Sequence, residues 1–363
     1  MHITTDTKNL KQILETVSRV STKHVTLPIL QCVLLEVKNS NLSIKATNLE
    51  IGIEGTIPVT SEEEGVVAVP AHILLQTISL ISQPTITLIT EGDVLIVESK
   101  SSRTEIKSIA SADFPHIPQI TSNPITIQGA LFALGIKTTA FTASQSSIKP
   151  ELGSIYIHQK KEHSLTFVAT DSFRLMEKTI PQKGLILQEP ILIPYKNALE
   201  LARVVEDVAG DVELYVTENQ CALTVGNIYI TSRLITGTFP DYAQIIPKEY
   251  KTNITLLTND FAQALKKTNI FLNKFMQLTL TISAGTFTLS AQSGDAGATT
   301  ESIQASVEGE DITLNFNQRY IHEVIPHIQG ESMLLKCAGF GRPMVMENVH
   351  DASLRYLVMP MNK

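Results

Sequence analysis

Asp171 and Arg174 stand three residues apart behind the strand-like run Leu165-Thr166-Phe167-Val168, a carboxylate and a guanidinium near enough to share acid–base chemistry. Two histidine pairs, His158 with His163 and His322 with His327, add further titratable groups. Neither pattern builds a catalytic site. Members of each histidine pair are five residues apart, which separates them on a helix surface. An Asp directly behind a strand is typically a turn or cap residue. The sequence has no phosphate-cradling glycine loop, no nucleophile elbow and no cluster at metal-ligand spacing. Cys32, Cys221 and Cys337 lie too far apart in sequence to suggest a zinc site or a disulfide framework, and they fit a reducing compartment. The chemistry-bearing residues point away from an enzyme, and no cofactor is implied.

What must position these residues is a repeat. Ala46-Thr47-Asn48, Ala169-Thr170-Asp171 and Ala291-Gln292-Ser293 each close an alternating apolar strand, and their first residues are 123 and 122 apart. Val69-Pro70, Ile193-Pro194 and Phe316-Asn317 each open a helical pattern at nearly the same spacing. Phe114-Pro115 and Phe239-Pro240 recur 125 apart. Three markers at one period argue for three copies of one domain. The expected limits are 1–120, 121–249 and 250–363, with linkers at 118–124 and 247–253. The repeat also weakens Asp171 as an acid, because Asn48 and Ser293 hold its place elsewhere.

Each copy reads as helix, strands, helix, strands. Leu10, Ile13, Leu14 and Val17 form one helical face behind a cap at Asp6 or Thr7, and Phe261, Ala264, Leu265 and Thr268 form another behind Asn259. In the second copy Phe132 keeps the period, but Gly135 weakens the helix. Pro70 and Pro194 suit first helical turns, while Pro326 should shorten its helix. Glu91-Gly92-Asp93, Glu218-Asn219-Gln220 and Ala284-Gly285 separate β-rich runs as hairpin turns would. Glu62, Glu63 and Glu64 read as a solvated hairpin tip. The fold class is therefore α+β, with two helices packed on antiparallel sheet in each of three tandem domains.

Charge divides unevenly. Net charge is −7, with 36 acidic against 29 basic residues, which by itself argues against a dedicated nucleic-acid binder. Yet Lys8, Lys11 and Arg19 lie away from the apolar face of the first helix. Lys196 and Arg203 lie on the second helix of copy two, and Lys266 and Lys267 on the first helix of copy three. Exposed helices carry Lys and Arg for solubility, so the spacing alone does not separate a solvated face from a polyanion surface. The first residues carry no signal-peptide pattern, and no apolar run reaches the roughly 18 residues of a membrane span, so a cytoplasmic location is expected.

Thr26-Leu27-Pro28-Ile29-Leu30, the run Ala169 to Leu175, Phe239-Pro240-Asp241-Tyr242 and Val358-Met359-Pro360-Met361 resemble signature stretches of the bacterial DNA polymerase III β subunit, the sliding clamp. Order and spacing agree along the whole chain. The resemblance implies a non-catalytic processivity factor: a head-to-tail homodimer, a DNA clamp fold closed into a ring around duplex DNA without sequence specificity. It implies DNA-facing roles for the helical lysines and arginines named above and for the loop Lys23-His24, where the family commonly has Arg in place of His24. It also implies a peptide pocket for the replicative polymerase, the clamp loader and repair proteins. That pocket would comprise Leu152, Thr170, Ser172, Phe173, Arg174, Leu175, Pro240, Gln244, Ile245, Asn317, Tyr320, Pro343, Val358, Met359, Pro360 and Met361. Ser172-Phe173, Gln244 and the ending Asn362-Lys363 depart from the usual pattern and leave peptide preference open. The rival readings are a β-rich tandem-repeat binding protein and an enzyme with an interdomain site at Asp171 and Arg174.

Overall fold

In the computed structural model, residues 1–21, 27–146, 148–184, 187, 189–208 and 210–361 are described. They form two compact units, one of Met1–Ala133 with Lys196–Leu234 and the other of Leu134–Tyr195 with Ile235–Lys363.

The first unit holds two antiparallel sheets. One has five strands in the order Thr60–Glu63, His2–Asp6, Thr85–Glu91, Val94–Glu98, Arg103–Lys107. The other has eight, in the order Ile125–Gln128, Asp211–Val216, Gln220–Val225, Ile228–Arg233, Ile51–Pro58, Asn41–Thr47, Cys32–Lys38, Gly65–Pro70. Its centre joins sequence-distant halves: Ile228–Arg233 pairs with Ile51–Pro58, Ser232 opposite Ile51. The second unit repeats this plan. A nine-stranded sheet runs Ile191–Pro194, Ser154–His158, Ser164–Thr170, Arg174–Pro181, Leu354–Val358, Met344–Asn348, Ser332–Cys337, Thr252–Leu257, Ala305–Gly309. Its central seam pairs Arg174 with Val358. A four-stranded sheet runs Gly297–Ile303, Thr286–Ser293, Gln277–Ser283, Ile312–Asn317.

Six α-helices accompany the sheets among the described residues: α1 (Thr7–Val17), α2 (Ala71–Ser79), α3 (Gly129–Thr139), α4 (Tyr195–Val205), α5 (Thr258–Thr268) and α6 (Gln318–Val324). Each expected apolar stripe is the buried one. On α1 these are Leu10, Ile13, Leu14 and Val17, on α5 Phe261, Ala264, Leu265 and Thr268. Asp6 caps α1, its carboxylate accepting from the Asn9 N–H at 2.8 Å. The expected hairpins form, with Glu91 opposite Val94, Val216 opposite Cys221 and Ser283 opposite Thr286. Ala284 and Gly285 both take positive φ, which a tight two-residue turn requires.

The structure corrects several local expectations. Asn259 does not cap α5, which starts one residue earlier behind Leu257 with no side-chain cap. Pro70 lies just outside α2 as its N-cap, and Pro194 ends the strand before α4. Pro326, by contrast, does shorten α6 as expected, its end passing into the 3-10 turn Ile325–His327. Glu62 to Glu64 are exposed but tip no hairpin, because Thr60–Glu63 pairs with the first strand and Gly65–Pro70 with Cys32–Lys38, in different sheets. The second linker is shorter than expected, since strand begins at Thr252. Gly135 does not break α3. A Cβ there would stand 2.4 Å from the buried Phe167 ring, so glycine is what lets helix and strand approach.

Candidate docking site and nucleic-acid interface

The Ala-Thr-Asx mark builds one turn twice. Thr47 donates its hydroxyl to the Ile51 carbonyl at 2.9 Å, and the Asn48 carboxamide oxygen accepts from the Glu50 and Ile51 N–H groups, both at 3.0 Å. Thr170 donates likewise to the Arg174 carbonyl at 2.6 Å, and Asp171 accepts from Phe173 and Arg174, both at 3.0 Å. Leu49 and Ser172 sit at the same turn position with φ 76° and 77°. Asp171 is thus held by its backbone bonds and by Arg174 at 3.0 Å, which is a turn residue's work.

In the second unit this turn aims Phe173 outward. Its ring is 60% exposed and stacks on Tyr320 of α6 with centroids 6.4 Å apart. Arg174 lies beneath, 4.5 Å from the Tyr320 centroid, donating to Asp171, Glu323 and, at 2.9 Å, the Phe141 carbonyl. Burial alone would lower the affinity of its guanidinium for a proton, but the Glu323 hydrogen bond and the neighbouring carboxylate hold it above its ordinary value. Glu323 is the converse: burial raises it, while hydrogen bonds from Arg319 and Arg174 outweigh that and hold it low. The cation is therefore neutralised in place and stiffens an aromatic wall. It offers no open charge to a ligand.

The chain's last described residues run along that wall. The Met359 N–H donates to the Phe173 carbonyl at 2.8 Å and the Met361 N–H to Asn315 at 2.7 Å. Met359 is part exposed and Pro360 and Met361 half-buried, whereas Val358 is fully buried. Asn317 caps α6 by accepting from the Arg319 N–H at 3.0 Å, which fixes Tyr320 one turn on. Ile245 is 50% exposed in the 3-10 turn Tyr242–Ile245, beside exposed Pro240, and Gln244 donates to Asp241 at 2.8 Å. Tyr242 anchors that turn, donating to Glu177 at 2.7 Å. Phe239 and Tyr242 pack with Leu175 and Leu357 in one buried cluster.

The predicted pocket residues thus divide. Ser172, Phe173, Tyr320, Pro240, Gln244, Ile245 and Met359 offer surface. Thr170, Arg174, Leu175, Val358 and Leu152 are buried and support it from below. Pro343 is half-buried just before Met344–Asn348. Sequence reasoning missed Glu323, Phe141 and Asn315. Only the spacing of Arg319 and Glu323, bonded at 2.6 Å, carried a local signal.

On the helices, Lys8, Arg19, Lys196, Arg203, Lys266 and Lys267 are exposed and Lys11 half-buried. Arg19 falls on the 3-10 turn Ser18–Val20 that follows α1. Lys11 pairs with Glu15 at 3.9 Å, Arg203 with Glu200, and Lys267 with Glu301 at 2.8 Å. Lys23 and His24 lie outside the described residues, as do Thr26, Asn362 and Lys363.

Models of the DNA polymerase III β subunit match along the chain: the N-terminal domain over residues 1–118, the central domain over 126–241 and the C-terminal domain over 243–362. The chain belongs to this family. The β sliding clamp of Caulobacter vibrioides is 28% identical over 373 residues, covering 99% of this chain and all of the relative, and that of Bacillus subtilis is 25% identical over 99% of each. Among solved structures, the DNA polymerase III β subunit of Pseudomonas aeruginosa superposes with a TM-score of 0.95 at 25% identity over both full chains. The Bartonella birtlesii sliding clamp, solved with griselimycin bound, gives 0.94 at 25% identity, again over both full chains. As a family member the chain is a sliding clamp, a processivity factor and a non-catalytic accessory subunit of a replicative polymerase. The readings as an adhesion-like repeat protein or an interdomain enzyme are not favoured. No helix among the described residues is long and apolar enough to cross a membrane.

Proposed function

We propose that two copies of this chain close head to tail into a ring that slides on duplex DNA in the cytoplasm. Strand bookkeeping carries the proposal. Copy one of the repeat is joined to copy two by Ile51–Pro58 pairing with Ile228–Arg233, and copy two to copy three by Arg174–Pro181 pairing with Leu354–Val358. At the repeat spacing, the next strand of the first kind is Gly297–Ile303 and the preceding strand of the second kind is Arg103–Lys107. Both are sheet edges among the described residues. An open edge is a template for another strand, and a second copy supplies the matching one. Ile109, just beyond Arg103–Lys107, and Ile270, on a 3-10 turn packed by Gly297–Ile303, add exposed apolar flanks. The three sequence domains 1–120, 121–249 and 250–363 would recur as six around the ring.

Lys8, Lys11, Arg19, Lys196, Arg203, Lys266 and Lys267 would face the duplex. The acids paired to Lys11, Arg203 and Lys267 weaken the phosphate attraction, which suits contacts that must release at each step. Phe173, Tyr320, Ile245 and Met359 would receive apolar side chains of short peptides from the polymerase, the clamp loader and repair proteins, since exposed, adaptable apolar groups on a stiff base favour such docking. The deciding experiment loads the protein on circular DNA, washes at moderate salt and linearises the circle. Retention before cutting and loss after it is the expected result, with a native mass of about 80 kDa, twice the 39.8 kDa chain. Equal retention on both forms, or a stable monomer, would refute the ring.

A further inference from the structure

The turn at Thr47 to Gly52 is the repeat counterpart of the docking turn, and it too is crossed by a following strand in the same way. The Arg233 N–H donates to the Glu50 carbonyl at 2.8 Å, the counterpart of Met359 on Phe173. A cavity of about 90 Å³ opens beside it, between Leu49, Glu50, Gly52, Pro115, Ile117 and Arg233. Pro115 is the counterpart of Pro240 through the Phe-Pro marker, so the cavity occupies the place of the docking surface one repeat earlier.

Its chemistry has been rewritten. Phe173 becomes Glu50, Leu175 becomes Gly52, Leu357 becomes Thr231 and Met359 becomes Arg233 at equivalent places in the two seams. Ile117 supplies the apolar floor, and a Cβ on Gly52 would meet it at 2.9 Å, so the glycine is what lets the Ile117 side chain lie against this strand. Glu50 and Arg233 are both exposed at the mouth. Among the ion pairs of the described residues there is none between Glu50 and Arg233, although a backbone bond holds their main chains together. Two opposite charges kept apart over a small apolar floor match a ligand that brings its own two charges.

We infer that this cavity is a second docking site, one that takes an extended partner peptide with an acidic side chain for Arg233, a basic one for Glu50 and a small apolar side chain between them. The inference borrows its geometry from the docking reading of the Phe173 turn and differs from it in ligand chemistry. The test is a fluorescent library of short peptides carrying one Asp or Glu, one Lys or Arg and one Val or Leu, screened on the full-length chain. Enriched peptides should lose about tenfold in affinity on Arg233→Ala. The double exchange Glu50→Lys with Arg233→Glu should prefer the charge-reversed peptides. Both side chains are exposed, so folding is not at stake, and a melting curve checks it. An all-apolar peptide aimed at Phe173 serves as the control, and Met359→Ala should weaken it alone. Failure of that control while mixed-charge peptides bind would count against the Phe173 reading only. If no mixed-charge peptide is enriched, or if enriched peptides ignore both Arg233→Ala and the charge exchange, the second site is refuted.

Discussion

Phe173→Ala probes the docking surface with little cost to what lies beneath it. A phenylalanine side chain covers on the order of 200 Å², so the 60% left open amounts to about 120 Å². Burying that area under a partner side chain is worth at most ~3 kcal/mol at roughly 25 cal/mol per Å², a ceiling of about 150-fold in affinity. Part of that is returned as ordering cost, so a loss between about tenfold and a hundredfold is expected. The covered remainder, about 80 Å², caps the folding cost at ~2 kcal/mol, so the chain stays folded with a modestly lower melting temperature. Tyr320→Ala should also weaken docking. The double variant should lose less than the two singles together, because the stacked rings act as a unit worth about 0.5–1.5 kcal/mol. The assay is fluorescence anisotropy with a peptide from a clamp-binding polymerase, alongside thermal unfolding. An affinity within about twofold of wild type in a folded Phe173→Ala chain would show that docking does not use this ring.

Gly135→Ala should lower stability by about 1–3 kcal/mol although alanine is the better helix former, because the new methyl meets the buried Phe167 ring; a melting temperature equal to or above wild type would refute the packing account. Asp171→Ala should cost more than Asn48→Ala in chemical denaturation. Both lose two backbone bonds, but only the first also strips a partner from buried Arg174; equal costs would show the ion pair to be idle. In acid, Glu323 and Glu347 should matter together. Burial pushes each up, yet arginine and lysine bonds hold both below the ordinary 4.5. A depressed folded-state value adds stability above the ordinary one and loses it as pH falls through the folded one. The melting temperature should therefore drop below about pH 4.5, and Glu323→Gln with Glu347→Gln should blunt that drop.

Local chemistry made much of this legible. Alternation, hairpin residues such as Ala284-Gly285 and the stripe Leu10, Ile13, Leu14, Val17 act over a few residues, and each formed as read. What escaped was tertiary. Gly135 looked like a weak helix residue because the Phe167 ring that demands it lies 32 positions away in sequence. Glu62 to Glu64 looked like a tip because nothing local says that the strands on either side join different sheets. Arg174 and Leu175 entered the expected pocket through the family resemblance; strand alternation and the fold of the turn bury both side chains beneath Phe173, which no local signal announces. The Arg174–Glu323 pair spans 149 positions and left no trace in either neighbourhood.

The two seams show how a repeated frame can separate assembly from recognition. Side-chain bonds from Thr47 and Asn48 to the main chain match those from Thr170 and Asp171, and the backbone bond of Arg233 to Glu50 matches that of Met359 to Phe173. These bonds fix where the following strand crosses, and they do not depend on the side chains pointing outward. The outward positions are thus free to differ without disturbing strand pairing: an aromatic and a thioether at one seam, a carboxylate and a guanidinium at the other. A substitution at Phe173, Met359, Glu50 or Arg233 should therefore change what binds, whereas one at Thr47, Asn48, Thr170 or Asp171 should change whether the seam forms at all.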